Sequence, residues 1–410
     1  MKKICLTLVG LYAALFAGFA QNTADSSKYK NHTLTFEEAN IVSSYYSQNG
    51  NNSAVTGGIG TEKLTDISNS FELKFFRYDN KFRKHNWNFE LGIDHYTSAS
   101  SDMIDLKANS SASHADTRIY PSVNWNRENE TKGTTVGGGV SYSHEFDYTS
   151  YSANINFAAK TKNRGGEFSA RAQYFADRVN RVLPTELVES IAGTSSASSS
   201  GNDRDDHHIR YPAAARNTFD LSLSYSQEVN KRLQVMFLAD LVTQNGYLGL
   251  PFHRVYFTDG SVHQETLPSS RFKIPVGIRA NYFLGDKIIL RAYYRYYTDN
   301  WGLTAHTASL EMPVKITAFV SLSPFYRYYI QTAVKYFAAY QQHTAADSYY
   351  TSNYDLSAFN SNFFGAGIRL TPPKGVFGSE HFNMLEIRYG HYNRSNGMQS
   401  NIVSLNLKFK

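Results

Sequence analysis

Cysteine is nearly absent from this chain of 410 residues; the single one is Cys5. It precedes an apolar stretch at 6–19, which follows Lys2 and Lys3 and ends on the small-x-small triplet Gly18-Phe19-Ala20. That layout predicts a cleaved signal peptide at 1–20. A lipid anchor would need its cysteine after the apolar stretch, at the cleavage point. The mature chain, 21–410, then holds no thiol, which excludes a disulfide-stapled scaffold and thiol chemistry. Long apolar runs are missing as well. The stretch at 6–19 is too short to cross a bilayer and nothing later compares with it, so a helical membrane protein is excluded. Charge of one sign is also scarce: the formal net is +6, or +4 without Lys2 and Lys3, evenly spread. Nucleic acid is therefore not an expected partner. No internal repeat points to a propeller or solenoid, and no segment reads as a plug domain.

Aromatic residues are abundant: 30 Tyr and 27 Phe bring them to 15% of the chain, against 19% charged. They recur in segments where apolar and polar residues alternate. Leu385, Ile387 and Tyr389 alternate with Glu386, Arg388 and Gly390. Val403, Leu405, Leu407 and Phe409 alternate with Ser404, Asn406, Lys408 and Lys410. Ile316, Ala318, Val320, Leu322, Phe325 and Tyr328 read as another such run. A period of two gives a strand one apolar and one polar face. About sixteen strands are expected, with fourteen as the alternative. They fall at 39–46, 68–78, 85–97, 117–127, 134–144, 149–161, 167–177, 217–229, 233–244, 271–284, 287–300, 303–314, 316–331 (extending towards Tyr340), 361–371, 382–393 and 398–409.

Repeated behind a secretory leader, this pattern predicts an all-β, antiparallel up-and-down barrel in the bacterial outer membrane, one domain over 21–410. The aromatics then supply girdles at the two interfaces. A mean hydropathy of -0.43 fits, because only half of a barrel's strand residues meet lipid. A soluble β-sandwich or propeller is the alternative. Connections support the barrel: short turns at 79–80, 162–166, 230–232 and 285–286 alternate with long segments at 47–66, 98–116, 179–216, 245–270 and 341–360. Barrels keep short turns on the periplasmic side and long loops outside. Closure requires the 39–46 strand to pair with the one ending at Phe409.

If the apolar face meets lipid, the alternate residues line the lumen. Glu90, Asp94, Arg171, Asp177, Arg279, Arg291, Arg295, Arg327, Glu386 and Arg388 are the candidate selectivity residues, with Glu72, Lys74, Asp220, Glu228 and Asp240 beside them. Arg279, Arg291, Arg295 and Arg327 form either a basic wall that attracts anions or one half of ion pairs that hold the wall together. The clusters Tyr293-Tyr294-Arg295-Tyr296-Tyr297 and Phe325-Tyr326-Arg327-Tyr328-Tyr329 read as interfacial girdles or as a stacking track for planar ligands.

Signals for chemistry are weak. Asp203, Asp205, Asp206, His207 and His208 crowd one loop without metal-ligand spacing, and Asp102 with Asp105 lacks the glycine turn of a calcium loop. No metal and no cofactor is expected. Thr56-Gly57-Gly58-Ile59-Gly60 lacks the lysine-serine ending of a phosphate loop. His95 and His144, with acids beside them, are the residues on which a membrane-embedded hydrolase would rest.

The segments 43–66 (SSYYSQNGNNSAVTGGIGTEKLTD), 93–105 (IDHYTSASSDMID) and 115–120 resemble a family of uncharacterised outer-membrane proteins of Gram-negative, Bacteroidota-type bacteria, catalogued as a domain of unknown function. Weaker similarity continues at 293–302. The resemblance implies a barrel and no established reaction. It also implies company: members accompany a flavin-attaching enzyme and thioredoxin-like proteins, so envelope redox or lipoprotein partners are expected beside lipid and small polar solutes. The functional expectation is a channel or uptake porin, with a partner-binding scaffold as the alternative. Loops 47–66 and 98–116 are expected to fold together over the barrel mouth.

Overall fold

The computed structural model describes residues 32–98, 115–181, 187 and 213–410. Alternation becomes strand throughout. The elements are β1 (Thr35–Asn49), β2 (Leu64–Tyr78), β3 (Lys84–Ser98), β4 (Ala115–Asn129), β5 (Thr134–His144), β6 (Tyr148–Lys160), β7 (Gly166–Asn180), β8 (Ala213–Asn230) and β9 (Leu233–Gly246). After a small hairpin of β10 (Arg254–Tyr256) and β11 (Val262–Gln264) come β12 (Ser270–Leu284), β13 (Ile288–Asp299), β14 (Thr304–Glu311), β15 (Val314–Lys315), β16 (Val320–Gln331), β17 (Phe359–Leu370), β18 (Phe382–Arg394) and β19 (Gln399–Phe409). Apart from the hairpin these make one sheet of 17 strands. β14 and β15 are halves of one strand, split at Met312-Pro313, where proline has no N–H for the ladder. The barrel therefore has sixteen staves.

Each stave pairs antiparallel with its sequence neighbour, and β1 pairs with β19 from Ala39 opposite Phe409 to Asn49 opposite Gln399. The sheet is closed. At this seam Ala39, Ile41, Phe71 and Phe409 form a buried cluster, packed against by Phe36, Leu73, Phe382 and Leu407. The expected strand at 316–331 starts later, at Val320. Ile316 and Thr317 instead donate their amides to the Val320 carbonyl in the turn before it. Nor does that strand reach Tyr340: it ends at Gln331, so the loop expected at 341–360 runs over 332–358.

The connections 50–63, 247–269 and 332–358 lie at one end of the barrel, here the loop end, where the strand ends Ser98, Ala115, Asn180 and Ala213 also lie. The other, turn end carries both the start of β1 and the end of β19. Its connections are tight except 371–381, which holds a 3-10 turn at Val376–Gly378. The expected leader at 1–20 and the bodies of the loops 98–116 and 179–216 lie outside the described residues.

The outer face is the apolar one. Val140, Tyr151, Ile155, Phe237, Ile368, Ile387 and Val403 all stand exposed there, Ile155 with 70% of its surface free. A monomer that left these rings and branched chains in water would carry an apolar belt far larger than a soluble protein tolerates. Ile155, in the middle of β6, gives a direct check. Ile155→Arg should destabilise vesicle-inserted protein by about 2–4 kcal/mol in guanidinium titration, the cost of a cation on the lipid face near the midplane. A change below about 0.5 kcal/mol, typical of an ordinary water-exposed site, would contradict a lipid-facing position.

Candidate functional site

The inner face is polar, and its charges are unevenly distributed. On β2 and β3, Ser68, Ser70, Glu72, Asn88, Glu90 and Asp94 occupy the face opposite Ile67 and Phe89. Ser68 Oγ donates to Asp94 at 2.5 Å, Ser70 Oγ to Glu90 at 3.0 Å, Asn88 Nδ2 to Glu72 at 2.9 Å and Tyr120 OH to Asp94 at 3.0 Å. Lys74 answers this acid excess through Glu38 at 2.9 Å and Glu72 at 3.2 Å. Buried Asp177 accepts from Ser150 at 2.7 Å and pairs with Arg216 at 2.8 Å. Asp220, Glu228 and Asp240 continue the acidic side on β8 and β9. Arg171, also inward, makes neither hydrogen bond nor ion pair among the described residues.

The opposite wall, β12 to β18, is rich in arginine. Some of its arginines are ion-paired and others, among the described residues, are not. Arg291 pairs with Glu311 at 3.4 Å, and Arg295 reaches across Gly277 to Asp240 at 3.8 Å. Arg388 pairs with Glu311 at 2.9 Å and with Glu386 at 3.2 Å, and Glu386 also takes Arg369 at 2.7 Å. Arg279 and Arg327 have no such partner among the described residues. Arg279 lies over the Tyr293 ring at 5.6 Å and Arg327 over Phe363 at 4.9 Å. Although they face inward, the Arg291 and Arg295 side chains keep 43% and 41% of their surface accessible, so the lumen around them is wet.

Arg327 belongs to a chain of rings and guanidinium groups. Arg388 lies over Phe325 at 5.1 Å; Phe325 meets Phe363 at 5.1 Å; Phe363 meets Tyr392 at 6.5 Å. Arg394 lies over Phe359 at 4.2 Å, and Phe359 meets Tyr329 at 5.6 Å. Glycine makes the room. A Cβ on Gly390 would stand 2.6 Å from the Phe363 ring, and one on Gly365 2.8 Å from that of Phe325.

Three connections interlock as a cap in the loop-end mouth. Segment 332–358 bridges 247–269 through Phe257 with His343 and Thr266 with Tyr350. Arg254 of β10 donates to the Val55 carbonyl at 2.8 Å, which brings in 50–63. The glycines of 50–63 serve this contact. Gly57 and Gly58 have φ of +80° and +88°, and a Cβ there would come within 2.5 Å of the Tyr256 ring and 2.7 Å of the Ser352 carbonyl oxygen. The cap's core, Trp301, Leu303, Ala305 and Val334, packs with Leu356 and Phe337 against Tyr297 and Tyr329, which point into the lumen. The cap thus sits within the mouth. Inside it Glu265, fully enclosed, accepts from Thr351 Oγ1 and from the Leu250 amide at 2.6 Å. Burial pushes its carboxyl up to about 7 and pushes neighbouring His253, 4.0 Å away, down to about 3.

The sequence expectations fare unevenly. Alternation divides each tyrosine cluster: Tyr294, Tyr326 and Tyr328 stand on the outer face as a girdle, whereas Tyr293, Tyr297, Phe325 and Tyr329 face the lumen. His95 and His144 both lie on the outer face, held to Thr117 and Thr149 at 2.9 Å each, while Asp94 points into the lumen. Loop 47–66 does fold over the mouth, with 247–269 and 332–358 as its described partners; 98–116 lies almost wholly outside the described residues. So do Asp102, Asp105 and the 203–208 cluster. Among the described residues no group of three or more metal-ligating side chains occurs. Arg369, Phe363, Glu265 and His253 escaped sequence reasoning, since each matters only through partners far along the chain.

A model of the family described as "Protein of unknown function (DUF3570)" matches residues 95–405. The resemblance read from the sequence is borne out over that span; the 43–66 motif lies outside it. No curated protein matches. Among solved structures the chain is similar to OccK1 (OpdK) of Pseudomonas aeruginosa, at 8% identity and TM-score 0.41, covering 93% of this chain and 99% of that one. It is similar to a BenF-like porin from Pseudomonas fluorescens Pf-5, at 8% identity and TM-score 0.42, covering 93% and 100%. A TodX monoaromatic hydrocarbon channel mutant matches at 10% identity and TM-score 0.43, covering 95% and 92%.

The buried Glu265 makes the cap sensitive to pH. Its carboxyl is raised from an ordinary 4.5 to about 7, so the folded cap holds a proton that the opened cap releases. The Glu265 contribution to cap stability should therefore fall as pH rises from about 4.5 to 7, by on the order of 3 kcal/mol. His253, kept neutral by burial, contributes the opposite slope from about 3 to 6.5, so the two offset over most of that range. Hydrogen exchange of the 250–265 amides, corrected for intrinsic rates, reads this. Glu265→Gln should remove the falling contribution and leave cap stability rising with pH up to about 6.5 through His253, and a pH dependence unchanged from the parent chain would contradict it.

Proposed function

This chain belongs to the DUF3570 family of proteins of unknown function, and for it we propose a role as an outer-membrane channel for small polar solutes. Residues 1–20 serve as the cleaved export signal, the turn end faces the periplasm and the capped loop end faces outward. The observation that carries this reading is the pair of unlike faces on one closed sheet. Apolar residues such as Ile155 stand outside, while inward arginines such as Arg291 and Arg295 remain solvated. Sixteen staves give a bore wide enough for water rather than a packed core. Selectivity then rests on the lumenal charges, acidic on β2–β9 and basic on β12–β18, and on the cap that narrows the mouth.

Purified protein in a planar bilayer should give steady ion-conducting openings. Replacing 333–357 by a short Gly-Ser turn should raise the unit conductance, because the cap core packs on Tyr297 and Tyr329 in the mouth. A silent barrel that co-purifies with envelope proteins would favour a scaffold instead. Release of fatty acid from lipid, abolished by His95→Ala or His144→Ala, would favour a hydrolase.

A further inference from the structure

We propose that the β13–β18 wall binds planar organic anions, an aromatic ring bearing a carboxylate, with its tightest subsite at Arg327 and Phe363. This rests on the channel reading and narrows it to a solute class. Three cavities follow one another along this wall. The first, about 740 Å³, lies at the turn end and is lined by Lys231, Arg232, Lys287, Lys315, Arg291 and Arg369. The second, about 260 Å³, lies between Glu311, Phe325, Arg327, Phe363 and Arg388. The third, about 480 Å³, shares Arg327 and continues past Tyr392 to Arg394 and Phe359 beneath the cap. Ion pairs join the first two, since Glu311 binds both Arg291 and Arg388. A solute on this wall meets a cation at every stage.

Arg327 is where binding should concentrate. Its neighbours along the wall are already neutralised: Arg388 by Glu311 and Glu386, Arg369 by Glu386, Arg394 by Asp355 at 2.7 Å. Among the described residues no acid pairs with Arg327, and it stands exposed in the lumen. Resting on Phe363 fixes the guanidinium plane and leaves its N–H edge free, so little side-chain freedom remains to be lost when a carboxylate docks. The rings argue for the other half of the ligand. Phenylalanine has no hydrogen-bonding atom, so Phe325, Phe359 and Phe363 gain nothing from a wet lumen. Together with the faces of the stacked arginines they present flat apolar surface to a planar guest. A simple anion funnel would need the arginines and not the rings. A neutral sugar track would need the rings and not an unpaired Arg327.

Benzoate is the probe, acetate and benzamide the controls, and the full chain in detergent the sample. Calorimetry should show benzoate binding about tenfold or more tighter than either control, because benzamide lacks the charge-assisted bidentate contact and acetate lacks the ring that stacks. In bilayers benzoate should block the current at the same concentrations. Arg327→Gln should weaken benzoate about tenfold. Arg327→Lys should keep anion preference in the current yet recover little of the benzoate affinity, because an ammonium neither stacks flat nor forks. Circular dichroism checks that both variants fold. Equal affinity for acetate, unchanged benzoate affinity in Arg327→Gln, or wild-type affinity in Arg327→Lys would overturn the subsite. If benzoate binds while bilayers stay silent, the channel reading fails and the subsite stands. Openings that benzoate neither binds nor blocks retain the channel and remove the subsite.

Discussion

Pairing between β1 and β19 is the constraint on which the rest depends. Hydrocarbon offers no hydrogen bond to a backbone N–H or C=O, so a sheet survives there only without an edge. The register from Ala39–Phe409 to Asn49–Gln399 removes that edge. Once the sheet is closed, every side chain faces either outward or inward, and period-two alternation decides which. Ile387 faces out and Glu386 in because they are neighbours in sequence, and no further information is needed.

Closure also determines what the interior can be. Side chains from sixteen staves do not meet in the centre, so each wall must satisfy its own charges along its own surface. On β2 and β3 this is done by serine and asparagine donors to Glu72, Glu90 and Asp94. On β13–β18 it is done partly by Glu311 and Glu386 and partly by aromatic faces, which leaves Arg327 stacked but unneutralised. The mouth follows a different principle. Its segments bury Trp301, Leu303 and Val334 as a small soluble core would, and they enclose Glu265 so that its carboxyl keeps a proton up to about pH 7.

Much of the barrel was legible in the sequence, because two-fold alternation is a local signal. The strand at 134–144 coincides with β5, the expected 149–161 is offset from β6 by one residue, and β7 runs past the expected 167–177 by one residue at its start and three at its end. The phasing of short and long connections also held, apart from 371–381. Failures have a common cause. Ile316 and Ala318 keep the alternation of β16 but lie in its preceding turn, where the Thr317 side chain and the Val320 carbonyl set the geometry. Phe325 was grouped with the outer face because it is apolar. Its odd position, after even Val320 and Leu322, placed it inward, and Gly365 and Gly390 on two later strands receive it. That break in parity was the available signal for the ring-and-arginine chain. The cap left no such trace, since Glu265 meets Thr351 across 86 residues and Arg254 meets Val55 across 199, and no periodicity connects them.

The seam can be tested directly, because the expected mature chain carries no thiol of its own. Ser44 and Ser404 face each other across β1 and β19. Paired antiparallel positions lie within the Cα separation that a disulfide spans, about 4.4–6.8 Å. Ser44→Cys with Ser404→Cys, expressed together and oxidised in the intact membrane fraction, should give a near-complete intramolecular crosslink, while either single change gives none. Two free thiols in the assembled, membrane-inserted protein would mean that the sheet is open at that edge, and the account built on its closure would be wrong.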